Sequence, residues 1–151
     1  MYEELYIYND NWKNKYIHPD LLNRDWQSVS REINKNGYGT DIHTLPIFTE
    51  QFCKEFVELG NSIPEGVFKR TVNGKEQEFG GWGRGRHESY QTYDIELNAI
   101  NYYPIYEAFL KEFIYPLADK IWLLGIESGQ WDEFVISETF LIKYGDKQKH
   151  L

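Results

Sequence analysis

WDEFVISETFLIKY, residues 131–144, is the stretch of the sequence that decides the fold class. The side chains of a β-strand alternate between its two faces, so this stretch divides into two sets. One face carries Phe134, Ile136, Glu138, Phe140, Ile142 and Tyr144, and the other carries Val135, Ser137, Thr139, Leu141 and Lys143. A strand this apolar makes a poor free edge, so we expect both of its faces to be covered.

A first amphipathic helix is predicted in HTLPIFTEQFCKEFVELGNSIP, residues 43–64, where Thr49 is a good N-cap residue and Gly60 stops the helix. Its apolar face is predicted to contain Phe52, Cys53, Phe56 and Val57. The single cysteine, Cys53, is therefore expected to be a small buried hydrophobic residue rather than a nucleophile.

A second helix is predicted to start near Pro104, and Pro116 is expected to kink or end it. Helices that precede a strand-rich region indicate an α+β domain. In such a domain the helices pack on one face of an antiparallel sheet.

The composition predicts one folded domain. The chain has 151 residues, of which 41% are hydrophobic and 17% aromatic, whereas disordered chains contain few aromatic residues. The net charge of −8 disfavours nonspecific binding to nucleic acid or to anionic membranes. It suits a basic partner such as a Lys-rich peptide, and a role in solubility alone accounts for it equally. No apolar run is long enough to span a bilayer, and the acidic start, MYEELYIYND, is not typical of a secretory signal.

A hairpin turn is predicted at Asn73-Gly74, and a glycine-rich basic loop at GGWGRGRH, residues 80–87. The loop lacks the Gly-Lys-Ser/Thr sequence and the flanking strand and helix of a phosphate-binding loop. Trp82 and Arg84 are instead predicted to bind substrate from a mobile loop above a site, and a plain surface loop fits the same residues.

No catalytic residue and no metal ligand are assigned from local motifs. No serine lies in G-x-S-x-G, and the four histidines are interpreted as surface or turn residues, with a turn at His18-Pro19-Asp20. The neighbouring acids Asp94 and Glu96 are interpreted as solvated residues of a half-exposed strand rather than a glycosidase pair.

Several stretches, taken in order, resemble the catalytic domain of the procollagen lysyl hydroxylases. NWKNKYIHPDLL is similar to the pattern W-K-x-K-Y-I-H, and LPIFTEQFCKEFVEL to P-I-F-T-E-x-F-C-x-E-L-V-E. GGW, followed by YQTYDIELNAINYYPIYEAFLKEFIYPLADKIW, resembles G-G-Y followed by P-T-x-D-I-H-M and a helix. FLIKYGDKQKHL resembles the strand F-V-V-R-Y and the acidic turn after it. The matches cover most of the chain from Asn11 to Leu151.

The resemblance implies a dioxygenase that depends on Fe(II) and 2-oxoglutarate, with ascorbate, and that hydroxylates a peptidyl lysine. It implies the N-terminal portion of a double-stranded β-helix, or jelly roll, with supporting helices packed on the sheet. Residues 1–151 would form a single or partial domain of this kind. A collagen-like substrate, a homodimer and the endoplasmic reticulum of animal relatives are further implications.

The resemblance also implies where the iron ligands lie. In the family, an H-x-D pair begins a few residues after the strand that FLIKY resembles, whereas no H-x-D follows Tyr144 here. We therefore expect this segment to be inactive alone. Tyr144 matches a tyrosine near 2-oxoglutarate, so its phenol is predicted to donate a hydrogen bond to a cofactor carboxylate. A tyrosine that only packs at the end of the strand fits the same position. The histidine of D-I-H-M is replaced by Glu96.

Two other classes of function fit the same residues. A noncatalytic domain would bind peptides or glycans through its tryptophan and tyrosine surface. An adaptor would pair an open sheet edge with another chain.

Overall fold

The computed structural model describes residues 2–25, 45–72, 74–84, 92–122 and 138–144. Asn73, residues 85–87 of the predicted loop and residues 131–137 of the predicted strand lie outside these ranges. Within them, no helix is long and apolar enough to cross a membrane.

The described ranges combine helices with two small antiparallel sheets, which is compatible with the predicted α+β class. The helical elements are a 3₁₀ turn at Glu3–Tyr6, α1 at Asp10–Tyr16, α2 at Pro19–Leu22, α3 at Glu50–Ser62, α4 at Tyr103–Phe109, a π-helical turn at Leu110–Ile114 and α5 at Tyr115–Trp122. The strands are β1 at Val67–Val72, β2 at Lys75–Gly80, β3 at Gly83–Arg84, β4 at Tyr93–Glu96 and β5 at Phe140–Lys143. One sheet pairs β1 with β2, and the other has the order β3-β4-β5.

The predicted hairpin is confirmed, because β1 and β2 pair from Val67 opposite Gly80 to Val72 opposite Lys75. The predicted loop at residues 80–84 is wrong. Gly80 ends β2, and β3 places Gly83 opposite Asp94. A Cβ atom at Gly80 would lie 2.9 Å from the Ala99 side chain, so a close neighbour accounts for glycine at the end of β2.

Helix α3 begins where Thr49 predicts, since the Thr49 hydroxyl accepts a hydrogen bond from the Phe52 amide at 3.3 Å. Its buried positions are Phe52 and Leu59. The prediction that Cys53 is buried is wrong, because Cys53 is exposed and Val57 is 62% exposed. The apolar stripe passes to one side of both residues.

Gly60 does not stop α3, which continues to Ser62. The Gly60 carbonyl accepts a hydrogen bond from the Trp82 indole at 2.9 Å, and this contact with a distant residue holds the last turn. Pro64 then follows the helix, as the sequence predicts.

The second helix starts at Tyr103 with Pro104 in its first turn, as predicted. Pro116 does not end it, since α5 continues to Trp122. Proline has no amide proton for the carbonyl four residues earlier, which belongs to Glu112. That carbonyl lies in the π-helical turn and is 3.5 Å from a guanidinium nitrogen of Arg24.

Trp12 of α1 lies at the centre of the aromatic core and is 3% exposed. Its indole nitrogen donates to the Leu5 carbonyl at 3.0 Å. Its ring centroid lies 5.0–6.4 Å from those of Tyr8, Tyr16, Phe52 and Phe109. One side chain therefore joins the N-terminal segment, α1, α3 and α4.

Gly81 is enclosed by backbone. The Trp82 amide donates to the Pro64 carbonyl at 2.9 Å, and the Gly66 amide donates to the Trp82 carbonyl at 3.2 Å. A Cβ atom at Gly81 would collide with the carbonyl oxygens of Pro64 and Gly66. Only glycine fits between these segments without moving them.

We expect Gly81→Ala to lower the free energy of unfolding by about 3 kcal/mol, because the backbone must shift to admit the methyl group. Gly60→Ala is the matched control. Its Cβ would meet the Trp82 ring at an ordinary 3.8 Å, so stability should stay equal or rise by about 0.5 kcal/mol. Urea unfolding of both variants checks this, and equal stability of Gly81→Ala and wild type would contradict it.

Candidate functional site

The two faces of the β3-β4-β5 sheet differ in burial. In the register, Asp94 lies opposite Gly83 and Ile142, and Glu96 lies opposite Phe140. Cross-strand partners share a face. The Tyr144 face is therefore formed by Gly83, Asp94, Glu96, Phe140 and Ile142, with Tyr144 at the next position of the same alternation.

The Tyr144 face is exposed to solvent. Phe140, Ile142 and Tyr144 are 39%, 43% and 48% exposed, whereas Leu141 of the opposite face packs against the core. The predicted alternation is confirmed over Phe140–Lys143, the residues of β5, and Tyr144 directly follows the strand. The prediction that both faces are covered is wrong for Phe140, Ile142 and Tyr144, which are partly exposed; among the described residues, the buried core packs against the Leu141 side.

The Tyr144 face also brings together polar groups that local motifs did not connect. Glu96 is exposed and Asp94 is half-buried on the strand beside Ile142. Gly83, opposite Asp94, adds no side chain at that position. The face therefore offers the Glu96 carboxylate and the Tyr144 phenol beside an apolar stripe, which suits a ligand with an apolar body and polar ends. The period of two in YDIE, residues 93–96, carries the signal for this arrangement.

Trp82 lies on the other side of the sheet. Trp82 precedes Gly83, and residues next to each other in a strand face opposite ways. Trp82 is 6% exposed and belongs to the same core cluster as Ile95. The structure therefore does not bring Trp82 and Tyr144 together on one face.

Arg84 is placed by its backbone, opposite Tyr93 in the pairing of β3 with β4. Its side chain lies outside the described part of the chain. Substrate contact by Arg84 stays a prediction.

A metal centre does not form within the described residues, which contain no group of three or more His, Cys, Asp or Glu side chains arranged to hold an ion. His18 and Asp20 have the H-x-D spacing of an iron-binding pair, although the sequence there is interpreted as a turn. In the structure, Nδ1 of His18 accepts a hydrogen bond from the Asp20 amide at 3.3 Å and caps α2. This spacing serves a helix start, so Fe(II) does not fit the described residues.

An ion-pair network fixes one side of α1. Nζ of Lys13 lies 3.0 Å from carboxylate oxygens of both Asp10 and Glu112. The Tyr8 hydroxyl donates to the second oxygen of Glu112 at 2.8 Å. Burial and the Glu112 carboxylate raise the pKa of Tyr8 far above its usual value, so Tyr8 remains a neutral donor. α1 is thereby attached to the π-helical turn.

A second network attaches the other side of α1 to α3. Nζ of Lys15 lies 2.7 Å from Glu4 and 3.0 Å from Glu55, and the Tyr16 hydroxyl donates to Glu55. Burial opposes ionisation of Glu55, but hydrogen bonds from Tyr16, Gln51 and Lys15 outweigh it and lower the Glu55 pKa. Glu55 is therefore held in its charged form.

The chain is similar over nearly its whole length to curated proteins named as procollagen-lysine,2-oxoglutarate 5-dioxygenases 1 and 2. It is 25% identical over 141 residues to procollagen-lysine,2-oxoglutarate 5-dioxygenase 1 of Bos taurus and of Homo sapiens, matching 93% of this chain and 17% of each relative. It is 24% identical over 148 residues to procollagen-lysine,2-oxoglutarate 5-dioxygenase 2 of Homo sapiens, matching 92% of this chain and 17% of that protein. No family model and no solved structure matches.

The chain is distantly related to the procollagen-lysine dioxygenases. It spans 17% of the length of these relatives. The described residues that carry the resemblance near the N-terminus have structural roles. Trp12, Tyr16 and Ile17 lie in the core, and Lys13 and Lys15 belong to the two networks.

Replacing Glu55 by glutamine should make the free energy of unfolding less dependent on pH in the acidic range. A carboxyl with a lowered pKa in the folded state stabilises the protein above its unfolded pKa, near 4.5, and this contribution disappears as the pH falls through the folded pKa. We expect Glu55→Gln to be about 1 kcal/mol less stable at pH 7, with the gap closing below pH ~4.

Thermal or urea unfolding across this pH range measures the gap. Glu58→Gln, at an exposed position of the same helix, should leave stability at pH 7 within about 0.5 kcal/mol of wild type. A difference in the free energy of unfolding between Glu55→Gln and wild type that widens at acidic pH would contradict the role given to Glu55 in this network.

Proposed function

We propose that this chain forms part of an Fe(II)- and 2-oxoglutarate-dependent oxygenase that hydroxylates a protein side chain, with peptidyl lysine as the substrate. The observation that carries the proposal is similarity to procollagen-lysine,2-oxoglutarate 5-dioxygenases across 93% of this chain. The acidic net charge supports a basic substrate, because opposite charge speeds encounter.

In this proposal the Tyr144 face is the inner wall of a double-stranded β-helix. The exposure of Phe140, Ile142 and Tyr144 supports this placement, because a barrel interior needs an apolar wall that the supporting helices do not cover. The packing of Leu141 and Ile95 against the helical core supports the opposite face as the outer one. The remaining strands would come from polypeptide outside the described residues.

The proposed roles of the described residues are binding and positioning. The Tyr144 hydroxyl would donate a hydrogen bond to a carboxylate oxygen of 2-oxoglutarate. Phe140 and Ile142 would exclude water beside it. Since Fe(II) finds no ligand set within the described residues, we place its ligands elsewhere and assign no chemical step to this segment.

A second candidate is a noncatalytic domain that binds peptides or glycans. The observation that favours it is the exposed apolar stripe on β5 next to the carboxylate of Glu96, which would receive a ligand directly. Under this alternative the 151-residue chain binds its ligand by itself.

The longest natural polypeptide that contains this chain separates the two candidates. We expect it to convert 2-oxoglutarate to succinate in an Fe(II)-dependent manner, and the 151-residue chain alone to do so at no measurable rate. Tyr144→Phe in the long polypeptide should raise KM for 2-oxoglutarate about tenfold, the value of one hydrogen bond to a charged group.

Tyr106→Phe is the control for loss of a phenol, because Tyr106 is a half-buried residue of α4. It should leave KM unchanged. Succinate production that is absent from the long polypeptide, together with glycan or peptide binding by the short chain, would replace the oxygenase by the second candidate.

A further inference from the structure

Trp82 is held by the structure on several sides. Its indole nitrogen donates to Gly60 at the end of α3, and its backbone bonds to Pro64 and Gly66. The edge of its ring lies 3.8 Å from where a Cβ of Gly60 would be. With 6% exposure, the ring is a rigid surface between α3 and the sheet.

Lys143 of β5 lies over this ring, with its ammonium nitrogen 5.8 Å from the ring centroid. A cation within about 6 Å of an indole face is attracted by the ring quadrupole. The aliphatic stem of lysine can cover an apolar ring while its charge stays in water. Through this contact β5 is attached to Trp82, and Trp82 is in turn bonded to α3.

The register of β5 is given by its pairing with β4, and Leu141 packs against the core on the same face as Lys143. The strand has four residues and pairs with β4 from Tyr93 opposite Lys143 to Glu96 opposite Phe140. A slip by one residue would move every side chain of the strand to the other face. Because Lys143 and Tyr144 are neighbours, a contact that holds Lys143 on the core side also holds Tyr144 on the opposite side.

We propose that Trp82 is a positioning residue for the Tyr144 face: its buried ring retains Lys143 and, together with the packing of Leu141 on the same face, holds the register that presents Tyr144. The functional consequence rests on the proposed role of Tyr144 in binding 2-oxoglutarate. The role given to Trp82 is separate from substrate contact, since its ring faces the core.

Hydrogen exchange of the β5 amides in the 151-residue chain tests the structural part. Lys143→Met keeps the stem and removes the charge, so β5 protection should fall roughly two- to fivefold, the range of an exposed cation–π contact. Lys143→Arg restores a cation over the ring and should restore the protection. Amides of α1 and α3 should not change in either variant.

Trp82→Leu supplies the partner for a double-mutant cycle, since leucine offers no ring to the cation. In that background Lys143→Met should cause no further loss in β5. Lys69→Met, at an exposed lysine of β1, is the control for loss of a positive charge. Equal β5 protection in Lys143→Met and wild type, or the same loss in Lys143→Arg as in Lys143→Met, would overturn the proposal.

Kinetics in the long polypeptide test the functional part. Lys143→Met should raise KM for 2-oxoglutarate roughly two- to fivefold with kcat unchanged, and Lys143→Arg should match wild type. If wild type turns over no 2-oxoglutarate, the proposed function fails, while the exchange result still decides whether Trp82 fixes β5. A changed β5 protection with an unchanged KM would refute the link to the cofactor.

Discussion

The indole ring of Trp12 contacts aromatic rings from four parts of the chain, and its nitrogen donates to Leu5. Helix α1, which carries it, has seven residues, too few for a helix to be stable by itself in water. Its position therefore comes from tertiary contacts. The Trp12 cluster supplies the apolar part, and the Lys13 and Lys15 networks attach the helix on either side. The N-terminal segment, α3 and α4 become one layer through this short helix.

The helical layer gives the sheet one supported face and one exposed face. Trp82 bonds to α3, Gly81 admits the close approach of the backbone at Pro64, and Leu141 and Ile95 pack against the core. Phe140, Ile142 and Tyr144, on the other face, are 39–48% exposed. The N-terminal residues that resemble the procollagen-lysine dioxygenases thus belong to the helical scaffold. The proposed cofactor binding lies on the opposite side of the sheet. This separation explains how the chain can be related to these dioxygenases although its described residues form no metal centre.

Sequence patterns predicted the features that depend on one element, such as the Thr49 cap, the hairpin and the alternation in β5. They failed where a distant residue decides. Gly60 lies inside α3, where its carbonyl accepts a hydrogen bond from the distant Trp82, and the carbonyl left by Pro116 meets Arg24. In α3, Cys53 and Val57 border one edge of the apolar face and Leu59 borders the other. The packing against the core, which buries Leu59 and leaves Cys53 and Val57 exposed, decides between the two edges. His18-Pro19-Asp20 shows the converse, since a metal-binding spacing occurs in the sequence and the fold uses it as a cap.

Thiol labelling of the Tyr144 face tests most directly whether that face is the inside of a larger barrel. The exposed Cys53 is first replaced by serine, and a cysteine is then placed at Ile142, with one at Val57 of α3 as the control. We predict that the cysteine at Ile142 reacts freely in the 151-residue chain and at least about tenfold more slowly in the long natural polypeptide, where further strands would cover it. The cysteine at Val57 should react equally in both. Equal labelling of Ile142→Cys in the two proteins would contradict the account.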